Sequence, residues 1–134
     1  MKGAALSPIL LDDTGSVEFL RVFGIGLYKG GLRRLLLRSD KTDTNPTRVD
    51  VLFVNTQHLS LPTVMEGLVI EDITDSEQGI SILCDCRINV YPGTRVRVYK
   101  LRCGRCDGHV IAGSAGYIED TGESWGPSGF VMDP

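Results

Sequence analysis

The chain has 134 residues, of which 42% are hydrophobic and 23% charged, and its formal net charge is −3. That length holds one domain around one core, and that composition belongs to a folded globular chain, not a disordered one. The small acidic excess lacks the basic surplus of a dedicated nucleic-acid binder, so nucleic acid is not the expected partner.

The first stretch, Met1 to Leu11, carries one basic residue and a short apolar run that Pro8 interrupts. It shows no small-residue cleavage site and is not read as a signal peptide. No apolar run approaches the roughly 18 residues that cross a bilayer, so the expectation is a cytoplasmic protein without a membrane partner. Strands are predicted over Val17 to Gly24, Leu32 to Leu37, Arg48 to Val54, Gly67 to Ile73, Gly79 to Val90, Thr94 to Leu101 and His109 to Ile118. Each is rich in β-branched, aliphatic or aromatic residues and is bounded by turn residues. Lys29-Gly30-Gly31 reads as a hairpin turn, Lys41 to Pro46 as a polar loop, and Pro92-Gly93 as a tight turn between two long strands. Leu61 to Leu68, opened by Pro62, has room for at most one short helical turn. Many short strands with short turns predict a mainly β, single-domain antiparallel sandwich or strongly curled sheet with at most one short helix. Residues 1–120 form this β-domain. Residues 121–134 are a Gly- and Pro-rich acidic tail that holds the single tryptophan, Trp125.

The four cysteines stand as Cys84-Asp-Cys86 and Cys103-Gly-Arg-Cys106. A Cys-x-x-Cys turn lets two thiolates grip one tetrahedral ion, and a turn at Pro92-Gly93 brings the two pairs towards each other. Cys84, Cys86, Cys103 and Cys106 are therefore candidate zinc ligands, with His109 able to replace one of them. Against this, Ile80, Ile82, Cys84, Cys86, Ile88 and Val90 fall on alternate positions of the predicted strand. On that reading Cys84 and Cys86 are small buried hydrophobes, Cys103 and Cys106 lie on the edge of a turn, and no cofactor is bound. The buried reading is preferred, because that apolar stripe runs without a gap, with Leu83 the exception on the otherwise polar positions between.

No complete catalytic or nucleotide-binding signature is present, and no catalytic residue is assigned. Gly24-Ile-Gly26-Leu-Tyr-Lys-Gly30 lacks the glycine a dinucleotide loop needs at Lys29, and no Gly-Lys-Ser or Gly-Lys-Thr occurs. Ala112-Gly113-Ser114-Ala115-Gly116 approaches a nucleophile elbow, but no histidine follows Ser114. His58 is expected to be exposed. Arg95, Arg97, Lys100 and Arg102 form a basic stretch with only Tyr99 as an aromatic among them. Trp125, Arg95 and Arg97 are candidate anchors for a protein partner, since aromatic and arginine side chains dominate interface energetics.

Arg48-Val-Asp-Val-Leu-Phe-Val-Asn55, Leu59-Ser-Leu-Pro62 and Gly67-Leu-Val-Ile-Glu71 together resemble a pattern in small β-rich immunity proteins of bacterial toxin systems and related uncharacterised bacterial proteins. What the resemblance implies is a non-enzymatic, stoichiometric inhibitor that blocks a toxin by surface complementarity. The expected function is thus a protein-interaction domain. The rival is a zinc-stabilised β-domain with a nucleic-acid-binding or regulatory role.

Overall fold

The computed structural model describes residues 9–11, 15–29, 33–88, 92–104, 106–123 and 128. It is mainly β, as the sequence predicts. The strands are β1 (Ile9–Leu10), β2 (Ser16–Lys29), β3 (Arg34–Ser39), β4 (Arg48–Val54), β5 (His58–Ser60), β6 (Val64–Asp72), β7 (Arg97–Cys103), β8 (Cys106–Ala112) and β9 (Ser114–Asp120). Among the described residues a helix, α1 (Glu77–Asp85), stands between β6 and β7. The strands form one antiparallel sheet in the order β1-β9-β4-β3-β2-β6-β7-β8-β5.

The sheet is strongly curled because three of its runs change partners along their length. β2 pairs with β6 from Ser16 to Gly24 and with β3 from Gly24 to Lys29. β8 continues into β9 across Gly113, and β4 continues into β5 across 55–57. These last two runs stay antiparallel to each other around the bend, where Gly113 N–H donates to Val54 O at 2.9 Å and Gln57 N–H to Ile111 O at 2.8 Å. Strands far apart in the pairing order are thereby joined by the same two stretches of chain.

The curl encloses one main core. Val49, Val51 and Phe53, the face read from alternation in β4, are all buried in it. They meet Leu35 and Leu37 from β3, Leu68 and Ile70 from β6, and Tyr99 and Leu101 from β7. Gly67 has φ of +79°, a left-handed conformation that favours glycine, and it lies beside the register shift between Phe19 and Val22. β2 carries the extra residue there, and along β6 the inward positions step across Gly67 from Met65 to Leu68 and Ile70, so both halves of the strand face the core.

The outer face of β3, β4 and β9 sets paired charges beside the buried Leu36, Leu52 and Ile118. Arg38 lies directly opposite Asp50, and Arg48 directly opposite Asp120. Arg38 grips both carboxylate oxygens of Asp50 at 2.7 and 2.9 Å. Arg48 grips both oxygens of Asp120, each at 2.9 Å, and also donates to Glu123 O at 2.8 Å. The start of the tail, 121–123, is held on β4 in this way. Trp125 lies outside the described residues.

One element differs from the sequence reading. Gly79 to Val90 is not a strand: its first part belongs to α1, and Asn89 and Val90 lie outside the described residues. Ser76 caps the helix by accepting from Gly79 N–H at 3.0 Å, with Glu77 in the first turn where a carboxylate suits the helix dipole. Gly79, Ile82, Leu83 and Cys86 recur at helical spacing. Ile82, Leu83 and Cys86, with Ile88, pack on a second cluster of Ile73, Val96, Val98 and Ile111. Pro92 and Gly93 do form a turn, but it leads from the helix region into β7 and joins no hairpin. The Leu61 to Leu68 segment is extended, contributing most of its length to β6.

Gly79 gives a test in which two effects have opposite signs. Helix propensity alone favours alanine over glycine by about 1 kcal/mol. An alanine Cβ at this position, however, runs into the backbone carbonyl of Ile73, far inside van der Waals contact. The expected outcome for Gly79→Ala is a loss of about 2 kcal/mol or more in urea unfolding, against about 1 kcal/mol for the cap variant Ser76→Ala. A Gly79→Ala protein more stable than the parent would contradict the docking of α1.

Candidate functional site

Two places in the fold gather residues that can act on something outside the chain. The first lies where the C-terminal end of α1 overhangs β5 and β8. His58 is opposite Ile111, and His109 is opposite Ser60. The two histidines are therefore diagonal neighbours on one face of the sheet. Their rings stack with centroids 5.1 Å apart and planes 12° from parallel. His58 is half-buried, contrary to the exposed position expected for it. Cys86, the residue that ends α1, comes down onto this pair. The ligand atoms of His58, Cys86 and His109 all lie within 4.8 Å of one another. Burial depresses the His109 pKa below its usual 6.5, and the neighbouring His58 adds to the effect. His109 Nε2 is buried and has no hydrogen-bond partner among the described residues.

The four cysteines do not converge. Among the described residues this is the single cluster of three or more metal-ligating side chains, and Cys86 is its only cysteine. Cys84 is exposed on the helix, so the pair Cys84 and Cys86 neither shares a buried stripe nor faces the other two. Cys103 is opposite Cys106 at the β7–β8 turn. Cys103 is buried in the main core, not on the turn's outer edge, and desolvation pushes its thiol up to about 11. Cys106 is exposed. His109, named in the sequence as a stand-in ligand, does belong to the cluster. His58 was missed because nothing in the linear sequence pairs β5 with β8.

The basic stretch is occupied within the fold. Arg97 donates to Asp72 Oδ2 at 2.9 Å through Nε, and its Nη2 stands 2.8 Å from the same oxygen. Arg95 donates to Gly113 O at 2.9 Å, Lys100 to Gln78 Oε1 at 3.4 Å, and Arg102 lies 3.6 Å from Glu71. Arg95 and Arg97 thus secure the bend at Gly113 and the β6–β7 junction.

The second place is a groove of about 730 Å³ between the outer face of β2 and the loop over 40–45. Leu20 and Val22 from β2 and Val64 from β6 line it, with the glycines Gly24 and Gly26 leaving its floor open. Leu20 is 86% exposed, and Val22 and Val64 each 58%. Arg21 fixes the groove wall. Its guanidinium donates to Ser39 Oγ at 3.1 Å and Thr47 Oγ1 at 3.0 Å, and also to the Thr47 carbonyl. No sequence pattern marked this groove, because Leu20 and Val22 read as ordinary strand residues.

Comparison with protein-family models, curated proteins and solved structures finds no match to this chain.

The aspartates that hold the basic residues set an acid limit. Burial pushes the Asp72 pKa up, but the Thr74 hydroxyl and amide and the Arg97 guanidinium overcome it, leaving a net fall below 3.8. Asp120 is likewise lowered: burial raises it, and Arg48 with the Gly122 amide more than offsets this. Both carboxyls therefore hold protons less tightly folded than unfolded. The stability they contribute is full above the unfolded value and is lost as pH falls through 3.8 towards the folded values. The urea midpoint should be flat above about pH 5 and fall below about pH 4, and Asp72→Asn with Asp120→Asn should flatten that fall. Equal steepness in parent and double variant would contradict the assignment.

Proposed function

We propose that this chain is a non-enzymatic protein-interaction domain whose contact face is the β2–β6 groove. In its concrete form it is a stoichiometric inhibitor of a toxin-like protein, as the resemblance in β4 to β6 implies. The observation that carries the reading is the exposure of Leu20, Val22 and Val64 side by side in one groove. A folded chain that leaves a leucine 86% exposed forgoes about 1.5–3 kcal/mol that burial contributes, and clustered apolar side chains of this kind mark protein contact sites.

The groove is also prepared for binding. Arg21 ties β2 to Ser39 and Thr47, so its own side chain loses little freedom when a partner docks. The anchors named from sequence have a different place in this reading. Arg95 and Arg97 bond within the fold, and the side chains that β2 and β6 expose into the groove are the apolar Leu20, Val22 and Val64.

A photo-crosslinking amino acid placed at Leu20 tests the proposal, with the same group at Ser81, exposed on α1, as control. In cells that produce the chain, position 20 should trap one protein partner in a one-to-one adduct, and position 81 should not. That partner should arrest growth when expressed alone and be neutralised by this chain. Leu20→Asp with Val22→Asp should weaken the complex about tenfold or more, while unfolding free energy stays within about 0.5 kcal/mol. Equal trapping at both positions, an adduct only with a second copy of the chain, or full neutralisation by the double variant would overturn the reading.

A further inference from the structure

We propose that His58, Cys86 and His109 bind one transition-metal ion of the zinc class and so fasten the end of α1 to the sheet. The inference is independent of the groove, which lies on other strands.

The three donors come from three elements that the fold brings together. His58 and His109 are diagonal neighbours across β5 and β8, and Cys86 ends the helix above them. Four-coordinate zinc holds nitrogen at about 2.0–2.1 Å and sulfur at about 2.3 Å, which sets its ligand atoms about 3.3–3.7 Å apart. The present donor atoms, all within 4.8 Å of one another, reach that spacing by side-chain rotation of about 1 Å. Cys86 is well placed to close the gap, since α1 ends there and the chain turns at Arg87, whose φ is 55°.

The chemistry selects the ion. Two imidazoles and a thiol suit zinc and copper, and they do not suit calcium or magnesium, which take oxygen. A second observation points to a ligand independently of the spacing. His109 Nε2 is buried without a hydrogen-bond partner among the described residues, although buried ring nitrogens are ordinarily satisfied. A metal ion held through Nε2 would supply that partner. Three protein donors leave one position of a tetrahedral ion for water or for an incoming group.

This site differs from a four-cysteine centre in ways that variants can separate. Cys84 stands two residues away, exposed, and Cys106 is exposed on the β7–β8 turn. Protein stripped with a chelator should take up one equivalent of Zn(II) in competition with a chromophoric chelator, and its melting temperature should rise with added zinc. Cys86→Ser and His58→Ala should each weaken zinc binding at least tenfold, with circular dichroism unchanged in the metal-free state. Cys84→Ser and Cys106→Ser should bind as the parent does. Co(II) in the parent should give a thiolate-to-cobalt charge-transfer band that is absent in Cys86→Ser. Absence of one-to-one Zn(II) binding would overturn the proposal. So would loss of affinity in Cys84→Ser equal to that in Cys86→Ser, or a charge-transfer band that survives Cys86→Ser.

Discussion

The burial of one apolar sheet face is the constraint from which the rest follows. An antiparallel sheet with alternating strands presents an apolar side that must be covered. Here α1 is the helix that packs on the sheet, and it sits on the outer side over Val98 and Ile111. The inner side is covered by the sheet itself, which curls until Leu35, Val51 and Phe53 from one half meet Tyr99, Leu101 and Val110 from the other. Phe53 and Tyr99 touch edge to face at 5.5 Å across this core. Curling requires strands that change partners, and β2 and the two bent runs through Gly113 and 55–57 do so. The groove at Leu20 lies where β2 leaves β6 for β3. The His58–His109 pair lies just beyond the bend that turns β4 into β5.

Charge fixes what apolar burial alone leaves loose. Slipping β4 by one residue against its neighbours would send Val49, Val51 and Phe53 outward, and it would also part Arg38 from Asp50 and Arg48 from Asp120. The Asp50 side chain is fully buried, so losing its arginine would leave an unpaired carboxylate out of water. The two bidentate pairs therefore penalise a wrong register strongly, whatever their net contribution to stability. They also leave that face saturated, whereas Leu20 and Val22 on β2 stay exposed.

Much of the fold was legible because most strands carry their own pattern. Val49, Val51 and Phe53 alternate and are buried, and the mainly β, strongly curled sheet follows from many such segments. Helix α1 was hidden by a coincidence of periods. Ile80, Ile82, Cys84 and Cys86 alternate as a strand would, but Gly79, Ile82, Leu83 and Cys86 also fit a helix. Leu83, which breaks the alternation, was the residue that separates the two. Ser76 followed by Glu77 was the second sign, a cap residue with an acid in the first turn. The consequence reached the site: with a strand over Gly79 to Val90 both Cys84 and Cys86 share one stripe, whereas a helix parts them and delivers Cys86 alone to the histidines. His58 was beyond reach of the sequence, since β5 is three residues long and its pairing with β8 depends on the global curl.

The docking of α1 over the sheet is thus the claim on which the reading of the cysteines and histidines turns. Nuclear magnetic resonance of the metal-free protein measures it directly. The account predicts helical Cα shifts across Glu77–Asp85 and nuclear Overhauser contacts from the Cys86 Hβ protons to the ring protons of His58 and His109. Extended shifts through Gly79 to Ile88, with no Overhauser contact from Cys86 to either histidine ring, would contradict it.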